Sequence, residues 1–156
     1  SGKPVGRSWL PDERGDVYPE PAEFPLEKLI RRLGTLAEHW KAGVELLREA
    51  LGTAHRDFIN AAICGLVWQS VFHLYQIYRL RKNWNDALLP EYRILEKSEL
   101  AVAEEALPLV AADTEQGWHI EGNFHSFSPE LIEKKIAVLK ERHSTGYPAP
   151  AELRNP

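Results

Sequence analysis

Histidines are the side chains in this sequence best suited to chemistry near neutral pH, since an imidazole can move a proton or bind a metal ion. The chain has six of them, namely His39, His55, His73, His119, His125 and His143. A metal site between helices needs ligands three or four residues apart on one face, and no two histidines have that spacing. His119, Glu121 and His125 could meet in a loop, but such a set arises often by chance. We therefore expect no metal and no cofactor, and we expect the only cysteine, Cys64, to be a core thiol.

Arg48 and His55 form a second pattern that could carry chemistry. Six residues separate them, and this spacing resembles the Arg-x(4-6)-His motif of HEPN-type ribonucleases. The resemblance implies a helical bundle that cleaves RNA without a metal ion. The pair straddles an expected helix end, so an exposed arginine and a turn histidine explain the same two residues. No Gly-rich phosphate loop, Ser/His/Asp set or nucleophile elbow accompanies the pair.

Basic residues are concentrated in one part of the chain. Residues 26–93 carry ten Lys or Arg against seven acids, whereas residues 94–121 carry one Lys against seven acids. Basic side chains beside aromatic rings can hold a phosphate backbone, and the segment 79–82 adjoins Tyr78 and Trp84. The basic residues with this placement are Arg79, Arg81 and Lys82. A solvated helix face with ordinary salt bridges is the alternative for these residues.

Residues 59–78 carry no formal charge, and the other elements are expected to pack around them. Apolar residues occur all around a helix in this stretch, which indicates a helix enclosed by neighbours. Gly65, Gln69, His73 and Gln76 form one narrow stripe where a second backbone could approach closely and the amides would need hydrogen-bond partners. The stretch is long enough to span a bilayer, but we do not expect a membrane location because its polar residues would be costly in lipid.

The remaining periodicity predicts an all-α fold, a four-helix body built on a long antiparallel helical hairpin. Apolar residues at alternating spacings of four and three run from Leu26 to Leu51, which is typical of a helix packed along another. Gly52 then indicates a helix cap and a short turn. We expect one helical domain over residues 25–143, with a break or kink at Pro108. The predicted helices cover about 25–51, 54–83, 90–112 and 128–143.

Proline-rich segments flank this body, an extended arm at residues 1–24 and a tail at residues 144–156. The arm has more apolar side chains than a disordered linker usually has. We expect Trp9, Leu10, Tyr18 and Phe24 to anchor it in a groove, of its own body or of a neighbouring subunit, and so to hold an assembly together. Glu far outnumbers Asp, and Asn and Gln are few, a balance typical of proteins from hot habitats.

The hairpin 26–82, its basic side and the anchored arms together resemble the major coat proteins of filamentous viruses of hyperthermophilic archaea. The resemblance rests on layout and composition. It implies a non-enzymatic structural subunit of a helical filament, located in the virion, with double-stranded DNA against the hairpin. The candidate phosphate contacts that it implies are Arg31, Arg32, Arg79, Arg81 and Lys82. Because the net charge of the chain is -4, such a filament would contain copies of this chain and a second, more basic subunit.

Two alternatives of other classes remain open at this point. One is an accessory helical subunit of a multi-subunit enzyme, which would also use anchored arms. The other is a HEPN-like ribonuclease that depends on His55. For either alternative we expect a cytoplasmic location, since no secretory signal is visible.

Overall fold

The structure is a computed structural model, and it describes residues 25–112 and 128–144. Its four α-helices are α1 (Leu26–Leu51), α2 (Arg56–Lys82), α3 (Leu89–Ala112) and α4 (Pro129–Ser144), with a short 3-10 turn at Asp86–Leu88 before α3. These two ranges contain no strand, and the expected all-α fold is confirmed. The arm anchors Trp9, Leu10, Tyr18 and Phe24, the loop residues His119, Glu121 and His125, and nearly all of the tail lie outside the described residues.

The ends of α1 follow from local backbone chemistry. Pro25 was expected to be the first helical residue, but its backbone is extended, with φ -54° and ψ 140°, and it caps the helix. Its carbonyl oxygen accepts from the N–H groups of Lys28 and Leu29, at 2.9 and 3.1 Å. At the other end Gly52 has φ +80°, a conformation that favours glycine, and its N–H donates to the carbonyl of Arg48.

Helices α2 and α4 begin at polar caps. The ring nitrogen Nδ1 of His55 accepts from the N–H of Asp57 at the start of α2. The hydroxyl of Ser128 accepts from the N–H of Leu131 at the start of α4, as its Ser-Pro-Glu sequence predicts. Pro108 does not break α3, which continues to Ala112. One backbone hydrogen bond is lost there, and the exposed position of Pro108 leaves its ring in solvent.

Each helix packs mainly against the next one along the chain. Leu26 and Ile30 at the start of α1 pack against Leu74 and Tyr78 near the end of α2, so these two helices form the expected antiparallel hairpin. The last turns of α2 then pack against the beginning of α3 through Ile77, Leu80, Tyr92 and Leu95. The largest core cluster joins α2, α3 and α4 and contains Ile63, Leu66, Val102, Ala103, Ala106, Val110 and Ile132.

The expectation that neighbours enclose α2 is wrong for one flank of the helix. Its apolar residues Cys64, Val67, Trp68, Val71 and Tyr75 are only half-buried. The reason is the order of packing, because α1 covers one face of α2 and α3 covers another, which leaves the flank between them less covered. By length and composition α2 is also the one described helix apolar enough to cross a membrane, with a mean hydropathy of 1.3 in its most apolar window.

Candidate functional site

The antiparallel pairing brings the two groups of candidate phosphate contacts to the same end of the hairpin. Arg31 and Arg32 lie in the second turn of α1, directly after Ile30, which packs beside Tyr78. Arg79, Arg81 and Lys82 lie in the last turn of α2, directly after Tyr78. The two groups lie about fifty residues apart in the sequence, and the antiparallel hairpin brings them together.

We call this surface the basic end, and it consists of residues 25–32 and 79–93. It carries seven basic side chains, Lys28, Arg31, Arg32, Arg79, Arg81, Lys82 and Arg93, against three acids, Glu27, Asp86 and Glu91. Arg31, Arg32 and Lys82 are exposed. Cations in the last turn of α2 also face the negative end of its helix dipole, which stabilises them there.

Parts of the basic end have structural partners. The guanidinium of Arg79 forms an ion pair with Glu91 of α3. The aromatic rings beside it are built into the core, since Tyr78 and Tyr92 are buried and Trp84 packs edge-on against Tyr92 with ring centroids 5.9 Å apart. These rings therefore offer little face on which a nucleic-acid base could stack. The arrangement suits contact with a phosphate backbone through charge.

A second polar group lies in the core between α2, α3 and α4. The carboxylate of Glu99 accepts from the hydroxyl of Ser70 at 2.9 Å and from the ammonium of Lys135 at 2.8 Å, both through Oε2. Its other oxygen, Oε1, lies 3.2 Å from Nδ1 of His73. Ser70, Glu99 and Lys135 are each 2% exposed or less. We call these four residues the buried polar cluster.

The electrostatics of the buried polar cluster favour a charged carboxylate. Burial by itself raises the pKa of Glu99, but the charge of Lys135 and the hydrogen bond from His73 lower it further than burial raises it. The net pKa is below the ordinary value for glutamate, so Glu99 is a weak base. Ser70 donates to this weak base and not to the imidazole, so its hydroxyl is poorly placed for activation as a nucleophile. The cluster is suited to holding three helices in register.

Two further ion pairs attach α4 to α3. Arg142 donates to Glu96 at 3.2 Å, with both side chains largely buried, and Lys140 lies 2.7 Å from Glu104 nearer the surface. Sequence reasoning identified the stripe with His73 but missed Glu99 and Lys135. A usable signal was present, because Lys135 lies at helical spacing between the buried Ile132 and Leu139. A charged residue in an apolar seam calls for a buried partner.

Arg48 and His55 are both exposed and lie on either side of the turn between α1 and α2. Arg48 donates from Nε to Glu45 at 2.8 Å, one turn earlier in α1. His55 uses its Nδ1 as the N-cap acceptor of α2. Each residue therefore has a local structural role.

Comparisons with known proteins add no relative to this picture. No protein-family model matches the chain, and no curated protein or solved structure matches it. Among residues 25–112 and 128–144 no group of three His, Cys, Asp or Glu side chains is arranged to hold a metal ion. The features of the described residues that bear on function are the basic end, the buried polar cluster and the half-buried apolar flank of α2.

Proposed function

We propose that this protein is a non-enzymatic assembly subunit whose basic end contacts a nucleic-acid backbone. The observation that carries the proposal is the convergence of Arg31 and Arg32 with Arg81 and Lys82 at one end of the hairpin. Seven cations against three acids there contrast with the acidic balance of the whole chain. Local charge of this kind binds phosphates independently of base sequence.

The small surplus charge of one basic end is the reason to propose an assembly of many copies. A single basic end with a surplus of four charges makes few phosphate contacts and releases few counterions, so one copy binds DNA weakly. Many copies bound along one duplex multiply the phosphate contacts without adding contacts to the bases. Because each copy carries a net charge of -4, a filament on double-stranded DNA also needs a second, more basic subunit. A virion coat is the form of assembly that these requirements fit.

The binding test compares two variants that lose the same charge. Arg31→Ala, Arg32→Ala and Lys82→Ala remove three exposed cations of the basic end, and Lys41→Ala, Lys97→Ala and Lys134→Ala remove three exposed cations elsewhere. Affinity for a 20-base-pair duplex is measured by fluorescence anisotropy across a salt series. We expect the slope of log affinity against log salt to fall by about one unit per lost phosphate contact in the first variant only. Equal slopes in both variants contradict the proposal.

The accessory-subunit alternative has one observation in its favour, the exposed apolar side chains on the second half of α1. Leu46 is 69% exposed and Leu51 is 41% exposed. An accessory subunit would purify with its partner at fixed stoichiometry and without nucleic acid. Electron microscopy of the purified material, with its ratio of absorbance at 260 and 280 nm, separates that outcome from a nucleoprotein filament.

A further inference from the structure

An apolar groove runs along one side of the hairpin. Its walls are two rows of half-buried positions, one on each helix, and both rows follow the same spacing of four, three and four residues. The rows are Leu36, Trp40, Gly43 and Leu47 of α1, and Cys64, Trp68, Val71 and Tyr75 of α2. Such spacing keeps each row on one flank of its helix over the whole length of the hairpin.

The contact of Trp40 across the hairpin indicates that both rows lie on the same side, because Ala61 lies about two turns before Trp68 on one face of α2. Trp40 crosses the seam, and its indole N–H donates to the carbonyl of Ala61 at 2.8 Å. On α1, Gly34 packs against Phe72, and Leu36 lies about 200° around the helix from Gly34. The outer flank of α1 beside Gly34 is polar, with Glu38, Lys41 and Glu45. The hairpin therefore has one polar side and one apolar side.

We propose that residues 1–24 of the same chain occupy the apolar groove in the isolated protein. The arm joins α1 at Pro25, which lies at the basic end of the hairpin and so at one end of the groove. An extended chain of this length reaches about 75 Å, and a helix as long as α2 measures about 40 Å. Tyr18, Leu10 and Trp9 can all reach the groove, even after a reversal of direction near Pro25.

Charge complementarity supports the same occupant. Residues 12–23 carry five acids, Asp12, Glu13, Asp16, Glu20 and Glu23, against one base, Arg14. This acidic segment precedes α1 directly and has a charge of -4, equal and opposite to the surplus on the basic end. With the acidic segment over the basic end, its own Tyr18 lies at the near end of the groove, and Trp9 and Leu10, farther upstream, extend along it.

The covalent tether favours the chain's own arm over the arm of a second copy. A segment joined by a short linker has an effective concentration in the millimolar range, far above the concentration of a second copy in dilute solution. The inference rests on the proposed function in one respect, since an arm over the basic end competes with nucleic acid. DNA would then displace the acidic segment before it binds.

Cys64 provides a test of groove occupancy that does not involve DNA. It is the only cysteine in the chain and lies in the groove, so its reaction rate with iodoacetamide reports access to the groove. We expect Trp9→Ala with Tyr18→Ala to raise this rate by about tenfold at fixed pH. The control, Trp118→Ala with Phe124→Ala, removes two aromatic residues from another segment and should leave the rate unchanged. Circular dichroism verifies that both variants stay folded.

Other results would overturn the inference. A rate that rises on dilution of the unaltered protein means that a second copy's arm covers the groove. A rate as fast as that of a free thiol in the unaltered protein means that the groove is open. Exposure of Cys64 by the control variant but not by the arm variant assigns the groove to the other segment.

A second pair of variants tests whether the arm competes with DNA at the basic end. Asp12→Asn, Glu13→Gln and Asp16→Asn neutralise three acids of the arm, and Glu49→Gln, Glu105→Gln and Glu133→Gln neutralise three exposed acids far from the basic end. The first variant should bind the 20-base-pair duplex about tenfold more tightly at low salt, and the second should change affinity far less. Equal gains contradict the competition. If no variant binds DNA, the proposed function fails, while the Cys64 rates still decide whether the arm occupies the groove.

Discussion

The ammonium of Lys135 in α4 lies 2.8 Å from Oε2 of Glu99 in α3, and each of the two side chains is 2% exposed. Two opposite charges at that depth constrain the register of α4 on α3, because a shift of one residue would leave both charges buried without a partner. Ser70 and His73 extend the constraint to α2. The helices that surround the largest core cluster are therefore joined by the buried polar cluster as well as by apolar packing.

Removing one partner of this ion pair should destabilise the protein strongly. Lys135→Met leaves the Glu99 carboxylate buried without its cation, and we expect a loss of about 3–5 kcal/mol of unfolding free energy, measured by urea denaturation. The double variant with Glu99→Leu should recover most of that loss, since two apolar residues can fill the same space. A double variant as unstable as the single one would show that the pair itself contributes net stability.

Acid should weaken the fold through the same carboxylate. The pKa of Glu99 is lower in the folded protein than its ordinary value of 4.5, so its stabilisation is fully present above that value and is lost as the pH falls through the folded pKa. Unfolding free energy should therefore fall more between about pH 5 and about pH 3 in the unaltered protein than in the Lys135→Met, Glu99→Leu double variant. Glu105→Gln, which removes a carboxylate at an exposed site, serves as the control.

Substitution by alanine should have opposite effects on stability at two glycines of the hairpin. A Cβ atom at Gly65 would lie 2.9 Å from Cδ1 of Trp40. The indole N–H of Trp40 also donates a hydrogen bond to the carbonyl of Ala61. Gly65→Ala should therefore cost about 1–3 kcal/mol by overpacking. Gly43 has open space at its Cβ position, so Gly43→Ala should stabilise α1 by up to about 1 kcal/mol. Thermal unfolding followed by circular dichroism measures both, and equal shifts would contradict the packing at Gly65.

His55 should prove to be a capping residue. His55→Ala removes the acceptor for the N–H of Asp57 and should cost about 1 kcal/mol, whereas His55→Asn keeps a capping oxygen and should cost less. Urea denaturation compares the two variants. Incubation with RNA tests the ribonuclease alternative. That alternative requires the unaltered protein to cleave RNA and both variants to lose the cleavage.

The sequence by itself was enough to predict the helices. Their apolar spacing and caps are local properties, and Gly52, Ser128 and Pro129 end or begin helices within a residue of the predicted positions. The antiparallel hairpin was predictable for the same reason, since a short turn between two long helices leaves few other arrangements. Of the break or kink expected at Pro108, the break is wrong, because the chain there is exposed and one lost hydrogen bond does not end a packed helix.

Tertiary structure alone decided which charges meet and which apolar surface stays open. Glu99 pairs with Lys135 across thirty-six residues, and no local rule selects that partner from the other lysines. Arg31 and Lys82 reach one surface because the hairpin folds back on itself. The flank of α2 with Trp68 is half-buried because α1 and α3 pack on other faces, and composition records only that the flank is apolar. Contacts distant in sequence depend on how whole helices pack, and that packing is a property of the assembled core.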